Sequence, residues 1–449
     1  MKKMLGKVRG RLGDFWWYSL VLFCAARAAD ALNAFVGLWL VPKYVDPTEL
    51  GAVMPLANFA NFLALPAAVF ANTFRNELTR LSAACEYGKM KTLMKGVFAA
   101  SAIFLLAALV ASRLLLPVLL ERIRIVEGSL GFLILVSSFL ATIHPVFGNA
   151  LQSLKKFNAS AMIGIACAPV RFLTMLVAMP FRALSGYFAG AAASPAFNIA
   201  ASLFCLRKEL AVPAEPYWTR GVVRRFSRLM ALFAVSGAAS CICGLVESTV
   251  LRQRLPDLDS AGYYMATRFS EIAGFLTGTL SFTLFPFAAD LHAKGGSANA
   301  LVCRSLAAIF VFGSLLALPF FFFGERLLAM LPHGGEYAAY WSAIPWLIGI
   351  SLLGSVAALY TTSEIAAGRF GFLKWMVPLD LGYPMVLLVV TGWGYFAPYA
   401  PGALDRFFVA HNVRTLDTML WWMTANNAIR AVICAVSMAR GRRGRCAGA

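Results

Sequence analysis

Residues 301–323 read LVCRSLAAIFVFGSLLALPFFFF, a run in which Arg304 is the only charged side chain. Wound as a helix at 1.5 Å per residue it reaches about 34 Å, enough to cross a hydrocarbon core roughly 30 Å thick. No water satisfies the backbone inside that core, so an apolar run of this length spans as a helix. Eleven more stretches of the same kind surround it: Phe15 to Val41, Gly51 to Phe74, Lys95 to Leu116, Leu130 to Leu151, Ala159 to Phe181, Leu184 to Leu206, Arg228 to Leu251, Ala261 to Phe287, Tyr340 to Ser363, Gly371 to Phe396 and Thr418 to Ala439. The sequence therefore predicts an all-α fold, a polytopic membrane protein with twelve transmembrane helices. Composition agrees: the 449 residues are 60% hydrophobic and 14% charged, against about 25% charged in a soluble domain.

Lys2, Lys3, Lys7, Arg9 and Arg11 precede the first stretch and imitate a secretory signal. The apolar run that follows is too long for one, and a retained first helix is expected. Lys and Arg concentrate in alternate connectors, which predicts that both termini are cytoplasmic. Trp16, Trp17, Trp421 and Trp422 stand where interfacial anchors belong. The net charge of +19 is thereby assigned to topology and to anionic membrane lipids, with no nucleic-acid partner implied.

The connector 207–228 is the most polar, with Pro213, Pro216, Glu209, Glu215, Arg220, Arg224, Arg225 and Arg228. It is the expected boundary between two six-helix bundles, 1–212 and 213–449. Past it the chain restarts: Asp46 and Gly51-Ala52-Val53-Met54 correspond at a constant offset to Asp257 and Gly262-Tyr263-Tyr264-Met265. An internal duplication with parallel topology is implied. Prolines inside the stretches, Pro169, Pro319 and Pro384 among them, read equally as hinges and as static bends.

Ionisable groups within a bilayer cost about 2.5 to 3.5 kcal/mol each on insertion scales and are functional candidates for that reason. Here they are Arg27, Asp30, Arg171, Glu247, Arg268, Glu271, Asp380 and Arg430. Arg27 with Asp30 and Arg268 with Glu271 repeat an i, i+3 spacing that places each acid on its arginine's helix face. Alanines crowd around Arg27, which leaves room for a cavity. Arg430 follows Asn426 and Asn427 in a mid-span polar patch, and Arg171, just past Pro169, reads first as structural and second as a substrate contact. Glu247 and Asp380 either bind a coupling cation or pair with an arginine on a neighbouring helix. Glu247 and Arg268 are also expected to meet across the hairpin between the seventh and eighth helices.

Nine scattered cysteines make no disulfide framework, and Cys241 and Cys243 read as packing residues. His144, His292, His333 and His411 show no metal-ligand spacing. P-loop, nucleophile-elbow and dinucleotide signatures are missing, so no metal, cofactor or enzymatic activity is expected.

Gly262-Tyr263-Tyr264-Met265-Ala266-Thr267-Arg268, followed by Thr283-Leu284-Phe285-Pro286 and Ala293-Lys294-Gly295, resembles the eighth-helix signature of the multidrug/oligosaccharidyl-lipid/polysaccharide (MOP) flippase superfamily. Val41-Pro42-Lys43-Tyr44 with Thr48-Glu49-Leu50-Gly51 is similar to its loop between helices 1 and 2, and Arg75-Asn76-Glu77-Leu78 through Gly88-Lys89 to the loop after it. Length and pattern look most like the polysaccharide transporter branch. That resemblance implies a monomeric protein of the bacterial inner (plasma) membrane that flips a polyprenyl-pyrophosphate-linked oligosaccharide by alternating access. Arg27, Arg171, Arg268 and Arg430 would receive the substrate, while Asp30, Glu247, Glu271 and Asp380 would pair with them or bind a coupling H+ or Na+. A cation-coupled multidrug exporter of the same fold is the alternative, and a membrane-embedded glycan polymerase or transferase a more distant one.

Overall fold

The computed structural model describes residues 29, 31–65, 69, 74, 77–78, 81–82, 84–122, 130–154, 156–293, 296, 298–392, 412–413 and 415–446. Each of the twelve apolar stretches carries helix within those residues, and no strand occurs among them. The helices are α1 (31–44), α2 (Val53–Leu63), α3 (Tyr87–Arg122), α4 (Leu130–Ser153), α5 (Phe157–Ala178), α6 (Ala183–Leu210), α7 (Arg220–Arg254), α8 (Asp257–Ala293), α9 (Asn299–Ala329), α10 (Ala343–Ala366), α11 (Leu373–Thr391) and α12 (Leu416–Cys446). Seven stretches among the described residues are long and apolar enough to cross a membrane. The protein is an all-α polytopic membrane fold.

Several helices overrun the apolar stretches that nucleate them. α3 begins at Tyr87 and α7 at Arg220, so Lys89, Lys91, Arg220 and Arg224 ride on helix rather than in loops. Long basic side chains at such ends carry their charge beyond the apolar zone while their stems cover it. Pro117, Pro145, Pro169, Pro195, Pro319, Pro378 and Pro384 lie inside continuous helices. α1 contains a π-helical turn, Val36–Leu40, directly before the turn Val41–Tyr44.

The chain divides into two compact units: Met1–Val36 with Pro55–Cys241, and Gly37–Met54 with Ile242–Ala449. The connector 207–228 lies wholly inside the first unit, and the division falls within α7. The connector is an ordered strap. Lys91 donates to the Val212 carbonyl at 3.0 Å, Thr92 to the Glu215 carbonyl at 2.6 Å, and the Glu215 N–H to the Gly88 carbonyl at 3.2 Å. Tyr217 donates to the Glu77 carboxylate.

The first unit's core joins Met90, Leu93 and Val97 of α3 to Ile143, Phe147 and Leu151 of α4, with Leu206 and Phe226. α6 packs on both α4 and α5. A Cβ at Gly186 would fall 2.5 Å from the Met179 backbone nitrogen, so α6 leaves the turn after α5 along a path that only glycine permits. In the second unit α10 is central and packs on α8, α9 and α12. Its Ile344, Leu347, Ile348 and Leu359 share a core with Val302 and Ile309 of α9 and with Met419 and Leu420 of α12.

Candidate functional site

In the first unit, α5 carries Arg171 fourteen residues beyond Phe157, about 21 Å along the helix. Its partners are neutral. One guanidinium nitrogen donates to Asn33 Oδ1 at 3.4 Å and another to the Tyr187 hydroxyl at 3.5 Å, and the group stands 5.6 Å from the centroid of the Tyr187 ring. Tyr187 is 8% exposed and sits on α6 one residue after Gly186, at a close approach of the chain to Met179. The third nitrogen, Nε, is buried with no hydrogen-bond partner. Among the described residues no carboxylate pairs with Arg171, and its partners there are two dipoles and one aromatic face.

The second unit treats its arginines differently. Arg268 of α8 pairs with Glu271 at 2.8 Å and lies 4.7 Å from the centroid of the Tyr264 ring. The two ionic side chains are 19% and 42% exposed, so Glu271 can exchange its partner for water or ligand. Arg430 of α12 is paired with Asp380 of α11, at 18% and 11% exposure, and also donates to Cys243 Sγ of α7 at 3.7 Å. α12 is therefore pinned to α7 and α11 by one guanidinium. Asn427 spends its amide on the Met423 carbonyl of its own helix at 2.9 Å.

Glu247 of α7 does not meet Arg268 in this structure. It faces the Tyr383 hydroxyl of α11 without good hydrogen-bond geometry, with Tyr263 and Cys243 beside it and Arg430 within electrostatic reach. Tyr263 turns its own hydroxyl to Met423 Sδ at 3.7 Å. Among the described residues its charged neighbour is Arg430, which Asp380 already holds.

Four of the eight expected residues thus form two ion pairs, Arg268 with Glu271 and Arg430 with Asp380. Among the described residues Arg171 and Glu247 form no ion pair, and they belong to different units. Arg27 and Asp30 lie outside the described residues. The sequence reading passed over Asn33, Tyr187 and Tyr383, quoted Tyr264 only within a motif, and read Cys243 as a packing residue. A phenol or amide inside an apolar run signals a buried polar partner, but the sequence does not say which arginine it serves.

No protein-family profile matches the sequence, and no curated protein matches it. Solved structures match along nearly the whole chain. A MOP superfamily transporter from Pyrococcus furiosus, described with a binding pocket of reverse polarity that suggests a different function, gives a TM-score of 0.67 at 10% identity over 96% of this chain and 97% of that one. A multidrug resistance MATE family transporter of the MOP superfamily gives 0.64 in its inward-facing conformation, at 12% identity over 94% and 96% of the two chains. Its outward-facing conformation gives 0.63 at 12% identity, over 94% and 93%. The fold is that of MOP-superfamily membrane transporters. Within that fold this chain carries the Arg171, Arg268, Arg430 and Glu247 settings described above.

Proposed function

We propose that the protein is a flippase for an amphiphile with an anionic headgroup, a polyprenyl-pyrophosphate-linked oligosaccharide, and that it moves this substrate across the bacterial inner membrane by alternating access. The observation that carries this reading is Arg171: deep in α5, without a carboxylate partner among the described residues, and presented by Asn33 and Tyr187. A guanidinium forks onto two phosphate oxygens, which replaces weak neutral partners with charge-assisted bonds. Arg268, Arg430 and Arg27 are the further substrate contacts, with Glu271, Asp380 and Asp30 holding them between cycles. The two moving bodies are the six-helix bundles read as 1–212 and 213–449, with segment 37–54 travelling with the second, both termini are cytoplasmic, and the protein acts as a monomer. Deletion of the gene followed by lipid extraction tests this: a lipid-linked saccharide should accumulate on the cytoplasmic face and clear on complementation, but not with Arg171→Ala. An unchanged lipid pool would remove the reading.

Glu247 favours a second reading, a cation-coupled multidrug exporter of the same fold. Its carboxylate lies with Tyr383 and Tyr263, not in an ion pair. In proteoliposomes this reading requires substrate to release H+ or Na+ with no lipid-linked sugar present, and Glu247→Gln to abolish that release.

A further inference from the structure

The two copies of the internal duplication, which the substrate site does not use, meet within the second unit. Asp46 caps the turn Pro47–Leu50, its carboxylate accepting from the Thr48 N–H at 2.9 Å. Asp257 opens α8 at the corresponding place. Arg252, at the end of α7, bridges them: it pairs with Asp257 at 2.9 Å and donates to the Thr48 carbonyl at 2.6 Å. That guanidinium is 2% exposed. The corresponding glycines, Gly51 and Gly262, both mark close approaches. A Cβ at Gly51 would fall 2.5 Å from Ser260 Cβ and 2.9 Å from the Ser260 carbonyl carbon; one at Gly262 would enter the Tyr340 ring at 2.4 Å. Val41, Val45, Leu50, Ala52 and Val53 are almost fully buried. Segment 37–54 is thus clasped onto the hairpin between α7 and α8.

The clasped segment begins in the π turn of α1, and that turn lies against Arg268. A Cβ at Gly37 would fall 2.9 Å from Arg268 Cδ and 3.6 Å from its Cγ. The Tyr264 hydroxyl stands 3.5 Å from the Gly37 carbonyl, while the Tyr264 ring lies beneath the guanidinium. A π turn widens the helix by one residue and leaves its carbonyls less well used, a feature common at functional sites. Here its missing side chain gives the Arg268 stem its path, and Tyr264 ties the turn to the same guanidinium.

We propose that segment 37–54 is the positioning element for Arg268, with Gly37 and Tyr264 setting the direction of its guanidinium and Arg252 holding the segment in place. A buried ion pair is a poor source of net stability but fixes one arrangement against its alternatives. The clasp keeps Gly37 in register with Arg268, whose side chain can then leave Glu271 only along one path. This rests on Arg268 handling substrate, as read above, and the test separates the two claims.

Two double-mutant cycles on Gly37 and Arg268 are run on the full-length protein in detergent. In the first, thermal unfolding is read: Gly37→Ala lowers the melting temperature in the wild-type background and has no further effect in the Arg268→Ala background, where the obstructing stem is gone. In the second, binding of farnesyl pyrophosphate, a short isoprenoid pyrophosphate, is read: Gly37→Ala weakens it about fivefold when Arg268 is present and leaves it unchanged when Arg268 is truncated. Equal effects in both backgrounds overturn the proposal. Arg252→Gln, which touches neither Arg268 nor the probe, should weaken probe binding as Gly37→Ala does; unchanged affinity removes the clasp from the proposal. If Arg252→Gln fails to fold, Asp257→Asn makes the same comparison. If Arg268→Ala binds the probe as the wild type does, the transport role of Arg268 falls while the thermal cycle alone still decides the positioning.

Discussion

Arg171 and Arg430 are both arginines inside apolar helices, yet the structure gives them opposite settings. Arg430 answers a buried carboxylate, Asp380. Arg430→Ala leaves Asp380 uncompensated and should lower stability by about 3 to 5 kcal/mol, read as a thermal shift in detergent. Adding Asp380→Asn should recover much of that loss, because the stranded charge is gone. Arg171 has neutral partners among the described residues, so Arg171→Ala should leave the melting temperature nearly unchanged while precursor lipid accumulates in cells. Tyr187→Phe keeps the ring and should behave almost as wild type; Tyr187→Leu removes the cation–π contact, about 0.5 to 2 kcal/mol, and should lower transport. The sequence pointed to all eight ionisable groups because intramembrane charge is costly wherever it occurs. It could assign Glu271 to Arg268, since an i, i+3 pair is fixed by helix geometry alone. It could not choose between pairing and cation binding for Asp380 and Glu247, because their neighbours, Arg430 and Tyr383, come from other helices whose packing the sequence does not show.

Helix positions were legible from apolar run length, and helix ends were not. Run length reports the hydrocarbon layer, whereas α3, α7 and α8 continue beyond their apolar stretches on residues with no apolar pattern. The π turn at Val36–Leu40 was equally hidden, since five apolar residues fit an ordinary helix as well. Close packing shows only in coordinates too. Gly186→Ala should cost about 1 to 3 kcal/mol, because the Cβ meets Met179 backbone that cannot rotate away, and thermal unfolding should report it. The cap at Asp46 predicts a pH effect. Donation from the Thr48 hydroxyl at 2.7 Å, then from its N–H, holds the carboxyl below its usual range, with His333 adding to the same direction. A depressed folded-state value means the stabilisation is fully present above the unfolded value near pH 4 and disappears as pH falls through the folded one. Asp46→Ala should therefore speed amide exchange at 48–50 at neutral pH, with the difference from wild type closing below about pH 4.

At the scale of the molecule, the all-α class, the polytopic character and the twelve stretches followed from the sequence, because a bilayer allows few backbone solutions. The sequence boundary at 212/213 and the contact boundary inside α7 answer different questions. A polar connector marks where the chain leaves the membrane, whereas contacts mark what packs together. A reporter fused after Ala449 should give a cytoplasmic signal; an external one would reverse the proposed orientation. The duplicated segments were visible as repeated letters, Asp46 with Gly51 and Asp257 with Gly262. That the copies pack on each other was not visible, since repetition says nothing about adjacency.

The exchange of segment 37–54 into the second unit has a consequence for how such a gene is free to vary. Segment 37–54 precedes the connector in the chain yet is an integral component of the second unit. Chimaeras that graft the second half of a homologue after the connector would import a foreign Arg252 and Ser260 to meet a native Thr48 and Gly51, and should assemble poorly. Those that transplant 37–54 together with 242–449 should assemble well. Recombination between chains of this fold is thus expected to leave functional offspring only when these distant stretches travel as a single heritable block.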